Sequence, residues 1–444
     1  MKLFNTLTHS IEEFSPQNEK NVSMYTCGPT VYDHMHIGNL RTFVFSDILL
    51  RGLNYNGYKV EAVENITDID DKIIKRAKEK NKTIKEISEE YTKYFLEDVE
   101  KLNINPKKLK AQPRATEYID KMVEYINVLL GKGYAYKEED GSVYFDISKF
   151  SDYGRLSGLE KRELKTGTRI LSDEYTKEDV QDFALWKAVG EDEVGFDSPF
   201  GKGRPGWHIE CSVMSQTILG EKIDIHTGGI DLIFPHHENE IAQSEAKTGE
   251  KPFVKYWMHG AHMLVDGKKM SKSLNNFYTL KDLEKRGFEP LVLRYLFLQT
   301  HYRQEMNFTW EALQGAQNAL DRLRKEIAGF DEPKEGIAEF EQNFLEAVND
   351  DLNMPKALSL VWEVLASDYP ISSKAQTVFK FDEVLGLSLR DSKELLEKQK
   401  KELPEEIKKL LRKREVLRKA KKYEEADKIR DKIIQMGYKV EDKN

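Results

Sequence analysis

The first third of the chain alternates strand-like and helix-like text, and its connections are short enough to leave few topologies open. Val22 to Thr26 is a short apolar run that stops at Cys27-Gly28-Pro29, where a turn must follow. Leu40, Phe43, Val44 and Ile48 then recur at helical spacing across Asn39 to Asn54. A second strand, Tyr58 to Glu64, follows the turn Asn56-Gly57, and helical text resumes from Asp70. Strand, helix, strand in so short a stretch predicts a parallel βαβ unit.

That unit is interrupted and then resumed. Tyr134 to Asp146 reads as a hairpin around Asp140-Gly141 and opens a β-containing stretch that lasts to about Gly206. From Trp207 the alternation returns. The segment 223–229, IDIHTGG, is a buried strand running into glycines, and FPHHENEIAQSEA begins a helix with Pro235 near its first turn. One doubly wound α/β domain carrying an insertion is therefore expected. Beyond Met306 the text is helical: Leu313, Ala316, Leu320, Leu323 and Ile327 make one apolar stripe, a linker spans Asp331 to Gly336, and helices are expected at 336–350, 355–367 and 373–386.

Composition narrows the class. At 444 residues, and with roughly 150 residues per domain, about three domains are expected. No apolar run approaches the ~18 residues of a membrane span, and mean hydropathy is -0.63. The opening MKLFNTLTHSIEEF meets Glu12 and Glu13 before an apolar core forms, so no signal peptide is expected. Two cysteines cannot build a disulfide framework, which points to a reducing, cytoplasmic setting. The net charge is -8, but residues 400–432 hold 14 Lys/Arg against 8 Asp/Glu, leaving -14 for the rest. An acidic body with a basic end can still meet a polyanion locally.

Three stretches carry chemistry. In TCGPTVYDHMHIGNLRT (26–42) a strand ends, a loop turns and a helix begins, with His36 and Asn39 at its start. Free N–H groups and the positive end of the helix dipole suit a phosphate there. In KKMSKSLNN (268–276), Lys269 and Lys272 sit in a polar loop able to fold over a triphosphate; a plain solvated lysine turn is the competing account. The third stretch concerns the thiols. Cys211 lies in RPGWHIECS, and PHHENE (235–240) offers His236, His237, Glu238 and Glu240. His236 and Glu240 share a helix face at i, i+4, while His237 and Glu240 are a rival pair at i, i+3. With Cys27 and Cys211, one such pair would make a four-ligand zinc site, with His208 a further competitor and two buried apolar thiols the plain alternative.

All three occur in order, together with NITDIDDKIIKRA (65–77) and DIHTGGIDLIFPHHENEIAQS, and nearly the whole chain then resembles the cysteinyl-tRNA synthetases. The resemblance implies a class I synthetase, α/β fold: a Rossmann-like doubly wound parallel sheet with an inserted α+β connective domain, then a C-terminal helical bundle and a small anticodon-binding domain. The expected divisions are 1–130, 131–206, 207–305, 306–390 and 391–444. It implies one zinc ion on Cys27, Cys211, His236 and Glu240, which demotes His237 and His208 to neighbours. It implies catalysis and ATP binding by His36, Gly38, Asn39, Lys269 and Lys272, and a cysteine pocket of Gly28, Thr67, Trp207, His226 and Asp231. The activity implied is activation of L-cysteine by ATP with Mg2+, then transfer to the 3′ end of tRNA(Cys), in a cytoplasmic monomer with no membrane partner and no editing domain.

Two features depart from the family pattern. Asn39 stands where the HIGH-type motif has its second histidine, and the chain reaches Val440 to Asn444 without a Gly-x-x-Trp-like tail. Arg412 to Lys422 is expected to contact tRNA phosphates. Two rival readings share part of this pattern. The cysteine ligase of mycothiol synthesis shares the adenylate chemistry but takes an amino-sugar acceptor, and the basic segment 400–432 argues against it. A non-catalytic RNA-binding relative would need neither the zinc ligands nor the lysine loop.

Overall fold

The computed structural model describes residues 1–159, 169–170, 173, 176–177, 181–271, 274, 276–402 and 405–435. A small antiparallel hairpin, β1 (Lys2–Asn5) and β2 (Ser10–Glu13), leads into β3 (Asn21–Thr26), α1 (Ile37–Tyr55) and β4 (Lys59–Glu64). β3 and β4 pair in parallel from Asn21 opposite Lys59 to Thr26 opposite Glu64, with α1 as the crossover. His36 caps α1: its side chain accepts the Asn39 N–H, satisfying one of the donors that a helix start leaves free. α1 is buried on more than one face, including Phe43, Val44, Phe45 and Asp47, so it lacks the clean stripe of a surface helix. Three helices follow: α2 (Asp71–Lys80), capped by Asp70; α3 (Ile84–Lys101), opened by a Thr83/Glu86 capping box; and α4 (Ile119–Gly131).

The insertion forms its own sheet. β5 (Ala135–Lys137) and β6 (Val143–Phe145) make the expected hairpin, and β7 (Arg169–Ile170), β8 (Asp182–Ala188) and β9 (Gly203–Pro205) complete it. Its Phe145, Phe183 and Trp186 belong to the same apolar cluster as Tyr25, Ile209 and Trp257 of the main domain. The two parts therefore share one core.

The chain then re-enters the main sheet through α5 (Trp207–Leu219), β10 (Ile223–Gly229), α6 (Glu238–Thr248) and β11 (Val254–Gly260). The sheet order is β11-β10-β3-β4, all parallel, and every residue of β10 is buried, as a central strand covered on both faces should be. One local detail differs from the sequence expectation. Residues Ile233–His237 form a wide π-type turn around a cis Phe234-Pro235 peptide, with Phe234 extended, so α6 starts at Glu238 and Pro235 lies ahead of it.

Next come β12 (Met263–Val265), β13 (Lys268–Lys269), α7 (Leu280–Lys285), α8 (Pro290–Leu298) and β14 (Met306–Phe308), with β12 pairing both β13 and β14. The helical region comprises α9 (Trp310–Ile327), α10 (Ala338–Asn349), α11 (Met354–Ala366), α12 (Ile371–Leu385), α13 (Ser392–Glu402), α14 (Glu405–Lys419) and α15 (Tyr423–Gln435). Met1–Leu320 with Asp331–Leu387 form one compact unit, and Asp321–Phe330 with Ser388–Asn444 a second. Within the first, buried Arg294 on α8 donates to Asp47 on α1 (2.6 Å), to the Leu385 carbonyl of α12 (2.7 Å) and to the Leu102 carbonyl after α3 (3.0 Å). Within the second, α14 and α15 pack on each other over Ile407, Ala426 and Ile433. No helix among the described residues is long and apolar enough to cross a membrane.

Candidate active site and metal centre

β3 and β10 lie side by side, but the chain leaves them in opposite directions, to β4 on one side and to β11 on the other. Where connections diverge, the carboxyl ends of the strands are left uncovered, which is where open α/β sheets bind ligands. A crevice of about 240 Å³ opens there, lined by Cys27, Gly28, His36, Asn39, Trp207 and Asp231. A second lobe of about 170 Å³ shares His36, Asn39 and Asp231 and reaches Gly260, His262 and Lys269. Gly28 is there because nothing larger fits: a Cβ would lie 1.6 Å from the Asn65 carbonyl oxygen, and its own N–H donates to Asn65 Oδ1 at 2.9 Å.

At the inner wall, four donor atoms converge from three elements. Cys27 follows β3, Cys211 is on α5, His236 sits in the turn before α6 and Glu240 is on α6. The sulfurs are 3.7 Å apart, Cys27 Sγ is 3.7 Å from Glu240 Oε1, and His236 Nε2 is 3.1 Å from the same oxygen. All four ligand atoms lie within 4.8 Å of one another and all four residues are buried. Cys27, His226, His237 and Glu240 form an overlapping set. In that set His237 turns Nε2 to Cys27 Sγ at 3.3 Å, with its Nδ1 held by His259 Nε2 at 2.7 Å and His259 Nδ1 by Thr6 Oγ1 at 2.8 Å. His226 Nε2 meets the other oxygen of Glu240 at 3.1 Å.

The surroundings separate the charges of these groups. Burial pushes the Cys27 thiol well up. Burial would raise Cys211 too, but the hydrogen bond from Cys27 and the charge on His236 outweigh it and bring that thiol to about 6. Glu240, buried, is nonetheless held at about 2 by His226 and His236. His236 rises to about 10 against its burial through Cys211 and Glu240, whereas burial keeps His237 and His208 neutral. A deprotonated thiol and a carboxylate that draw a proton onto His236 make an anionic cluster, and a divalent metal ion bound there would displace that proton and take the freed imidazole as a donor.

At the other end, His36 Nδ1 accepts the Asn39 N–H at 3.1 Å, which leaves Nε2 as the protonated, donating nitrogen. Burial lowers this imidazole to about 4, so at neutral pH it is an uncharged donor. Gly38 lies over Met270, and the loop backbone is held by Asn276, which accepts the Ser271 N–H (2.8 Å) and donates to the Lys269 carbonyl (3.1 Å). Lys269 ends β13, exposed at the lobe's edge; Lys272 lies outside the described residues.

Of the residues assigned to a cysteine pocket, Gly28, Trp207 and Asp231 line the crevice. Thr67 and His226 lie behind it: the Thr67 hydroxyl donates to buried Glu210 (2.8 Å), and His226 sits under Glu240, stacked on Trp257 at 4.6 Å. His208 is also set back, its Nδ1 3.1 Å from His236 Nδ1. Sequence reasoning missed Asn65, which orients Gly28 and comes within 3.7 Å of Cys211 Sγ, and it missed Glu210. The adjacent strings NITDID and WHIECS were the available signal.

Comparison with known proteins agrees with this geometry. Residues 13–318 match the family described as tRNA synthetases class I (C) catalytic domain, and residues 400–444 match the cysteinyl-tRNA ligase anticodon binding domain. Cysteine–tRNA ligase of Chlamydia muridarum is 46% identical, over 99% of this chain and 97% of its own length. That of Chlamydia felis is 45% identical over 99% and 95%. Among solved structures, a ternary complex of Agrobacterium radiobacter LeuRS with tRNA matches with TM-score 0.62 at 10% identity, covering 86% of each chain. Mycobacterium tuberculosis methionyl-tRNA synthetase bound by methionyl-adenylate gives 0.59 at 14%, covering 84% of this chain and 92% of the other. With a switch-point crevice, a buried thiol-rich donor set and matches to both a catalytic and an anticodon-binding family, this chain belongs to the cysteine–tRNA ligases of the class I aminoacyl-tRNA synthetases.

Proposed function

We propose that the chain activates L-cysteine with ATP in this crevice and transfers it to the 3′ end of tRNA(Cys). The observation that carries the reading is the buried set Cys27, Cys211, His236 and Glu240 opening onto the same crevice as the capped start of α1. The metal assigned to it is zinc. A sulfur–sulfur separation of 3.7 Å matches the ~3.8 Å edge of a tetrahedron with ~2.3 Å zinc–sulfur bonds. When bound, zinc supplies a Lewis acid that takes a thiolate and leaves a serine hydroxyl unligated. A bare pocket would separate the two amino acids far less, since they differ by one atom of similar bulk.

The chain's own residues do the remainder. Asp231 and Trp207 border the pocket for the amino acid, and Gly28 lets it approach the backbone. His36, through Nε2–H, and Asn39 donate to the phosphates of ATP, which enters with Mg2+. Lys269 and Lys272 neutralise the charge that gathers on pyrophosphate as the cysteine carboxylate displaces it from the α-phosphorus. A ribose hydroxyl of the terminal tRNA adenosine then attacks the mixed anhydride and releases AMP. The division 1–130, 131–206, 207–305, 306–390 and 391–444 belongs to the same proposal, as do a cytoplasmic location and a monomeric state. Cysteine-dependent ATP–pyrophosphate exchange, with serine as the control and metal analysis of the same sample, is the test. Exchange with cysteine alone and about one zinc per chain is expected; equal exchange with serine would overturn the reading.

A further inference from the structure

The stretch 72–82, KIIKRAKEKNK, holds six Lys/Arg against one Glu in a chain of net charge -8, leaving -13 for everything else. Nothing in the two-step chemistry uses it. Part of the charge is answered locally: Arg76 pairs with Asp33 and Glu79, and Lys80 and Lys82 share Glu90. Lys72, Lys75 and Lys78 are exposed, spaced three apart on α2, and form a ridge away from its buried Ile73 and Ala77. Lys75 and Lys78 form no ion pair among the described residues. The ridge begins at the crevice itself, because Lys72 lines it together with Tyr32 and His34. The Lys72 ammonium stands 5.7 Å over the Tyr32 ring, and His34 rests on Tyr94 with ring centroids 4.5 Å apart.

Lysines in a row beside aromatic rings at a narrow opening are the pattern of a groove for single-stranded nucleic acid, where cations follow the phosphates and rings receive bases. We propose that the Lys72–Lys75–Lys78 ridge, with Tyr32 and His34 at its inner end, is the track by which the unpaired 3′ end of tRNA enters the crevice. This rests on the tRNA ligase reading. From Lys72 to Lys78 the helix advances about 9 Å, enough to accompany one or two phosphates.

The test is the pair Lys75→Gln/Lys78→Gln in the full-length protein, with tRNA(Cys) transcript and the same transcript lacking its 3′ CCA. Pyrophosphate exchange, which needs no tRNA, is expected to match the wild type and shows that the variant is folded. In aminoacylation the KM for tRNA rises. Its log–log dependence on salt flattens by about 1.4, at ~0.7 per single-strand phosphate contact, so the wild-type advantage shrinks about sevenfold between 50 and 200 mM salt. In filter binding, the penalty is present with full-length tRNA and absent with the truncated one, and Lys75→Arg/Lys78→Arg restores wild-type behaviour. An unchanged salt slope would overturn the track, as would an equal penalty on truncated tRNA or loss of exchange in the variant alone. A wild-type protein without cysteine-dependent exchange would instead bring down the ligase reading on which the track depends.

Discussion

Arg41 on α1 is 5% exposed, and no carboxylate pairs with it among the described residues. Its two terminal nitrogens donate to four backbone carbonyls: Ala261 (3.1 Å), His262 (2.9 Å), His301 (3.1 Å) and Gln304 (2.7 Å). Burial lowers the guanidinium to about 10 and leaves it charged at neutral pH. Ala261 and His262 border the second lobe of the crevice, where Lys269 and the proposed phosphate donors His36 and Asn39 meet, so this side chain joins the start of α1 to the opposite wall of that lobe. Arg41→Met removes four charge-assisted hydrogen bonds of about 1.5–3 kcal/mol each, offset by several kcal/mol no longer spent on burying a charge. A net loss of about 3 kcal/mol follows, or roughly 4 °C in the unfolding of a catalytic unit of this size. Arg41→Lys should fall between, because one ammonium cannot span four carbonyls. Calorimetry reads the first effect, and the KM for ATP in pyrophosphate exchange, rising more than the KM for cysteine, reads the second. Wild-type melting and a wild-type ATP KM in Arg41→Met would refute the reasoning.

Three further outcomes are expected. Cys211→Ser should lose bound zinc and cysteine activation together, and normal metal content with normal exchange would contradict the donor set. Gly28→Ala should fold poorly or lose cysteine binding, because its Cβ meets the Asn65 carbonyl; wild-type cysteine KM and melting would count against that. His36, lowered to about 4 by burial, stays neutral across the working range, so its protonation should cost exchange activity only below about pH 5. An inflection near pH 6.5, present in the wild type and missing in His36→Asn, would show that burial does not lower this imidazole.

Much of the site could be read in advance because it depends on local periods. The βαβ unit follows from apolar spacing; helical spacing offered His236–Glu240 at i, i+4 beside the rival His237–Glu240 at i, i+3, the family resemblance chose the first, and the helix proper starts only at Glu238. The meeting of Cys27 with Cys211 is different in kind. It depends on β3 lying next to β10, a pairing between distant segments that no periodicity encodes; ligand chemistry suggested the pair as one of several options, and the resemblance to a family decided for it. The seating of Thr67 and His226 behind the crevice wall was equally hidden, since a threonine in a strand-like run looks the same whichever way it faces. Arg41 carried no signal at all. In sequence it is one more basic residue on a helix, and its four carbonyl partners come from two loops more than 200 residues away.

The order in which the four donors appear along the chain has a consequence for biosynthesis. The first thiol emerges with the first strand of the parallel sheet, but its carboxylate partner arrives only at residue 240. A nascent chain must therefore carry a bare sulfhydryl past the whole insertion before any ion can be captured by the full quartet. On the zinc reading proposed above, no sorting of amino acids by sulfur is available until then, and loading with metal would mark the moment at which the two halves of the sheet have found each other.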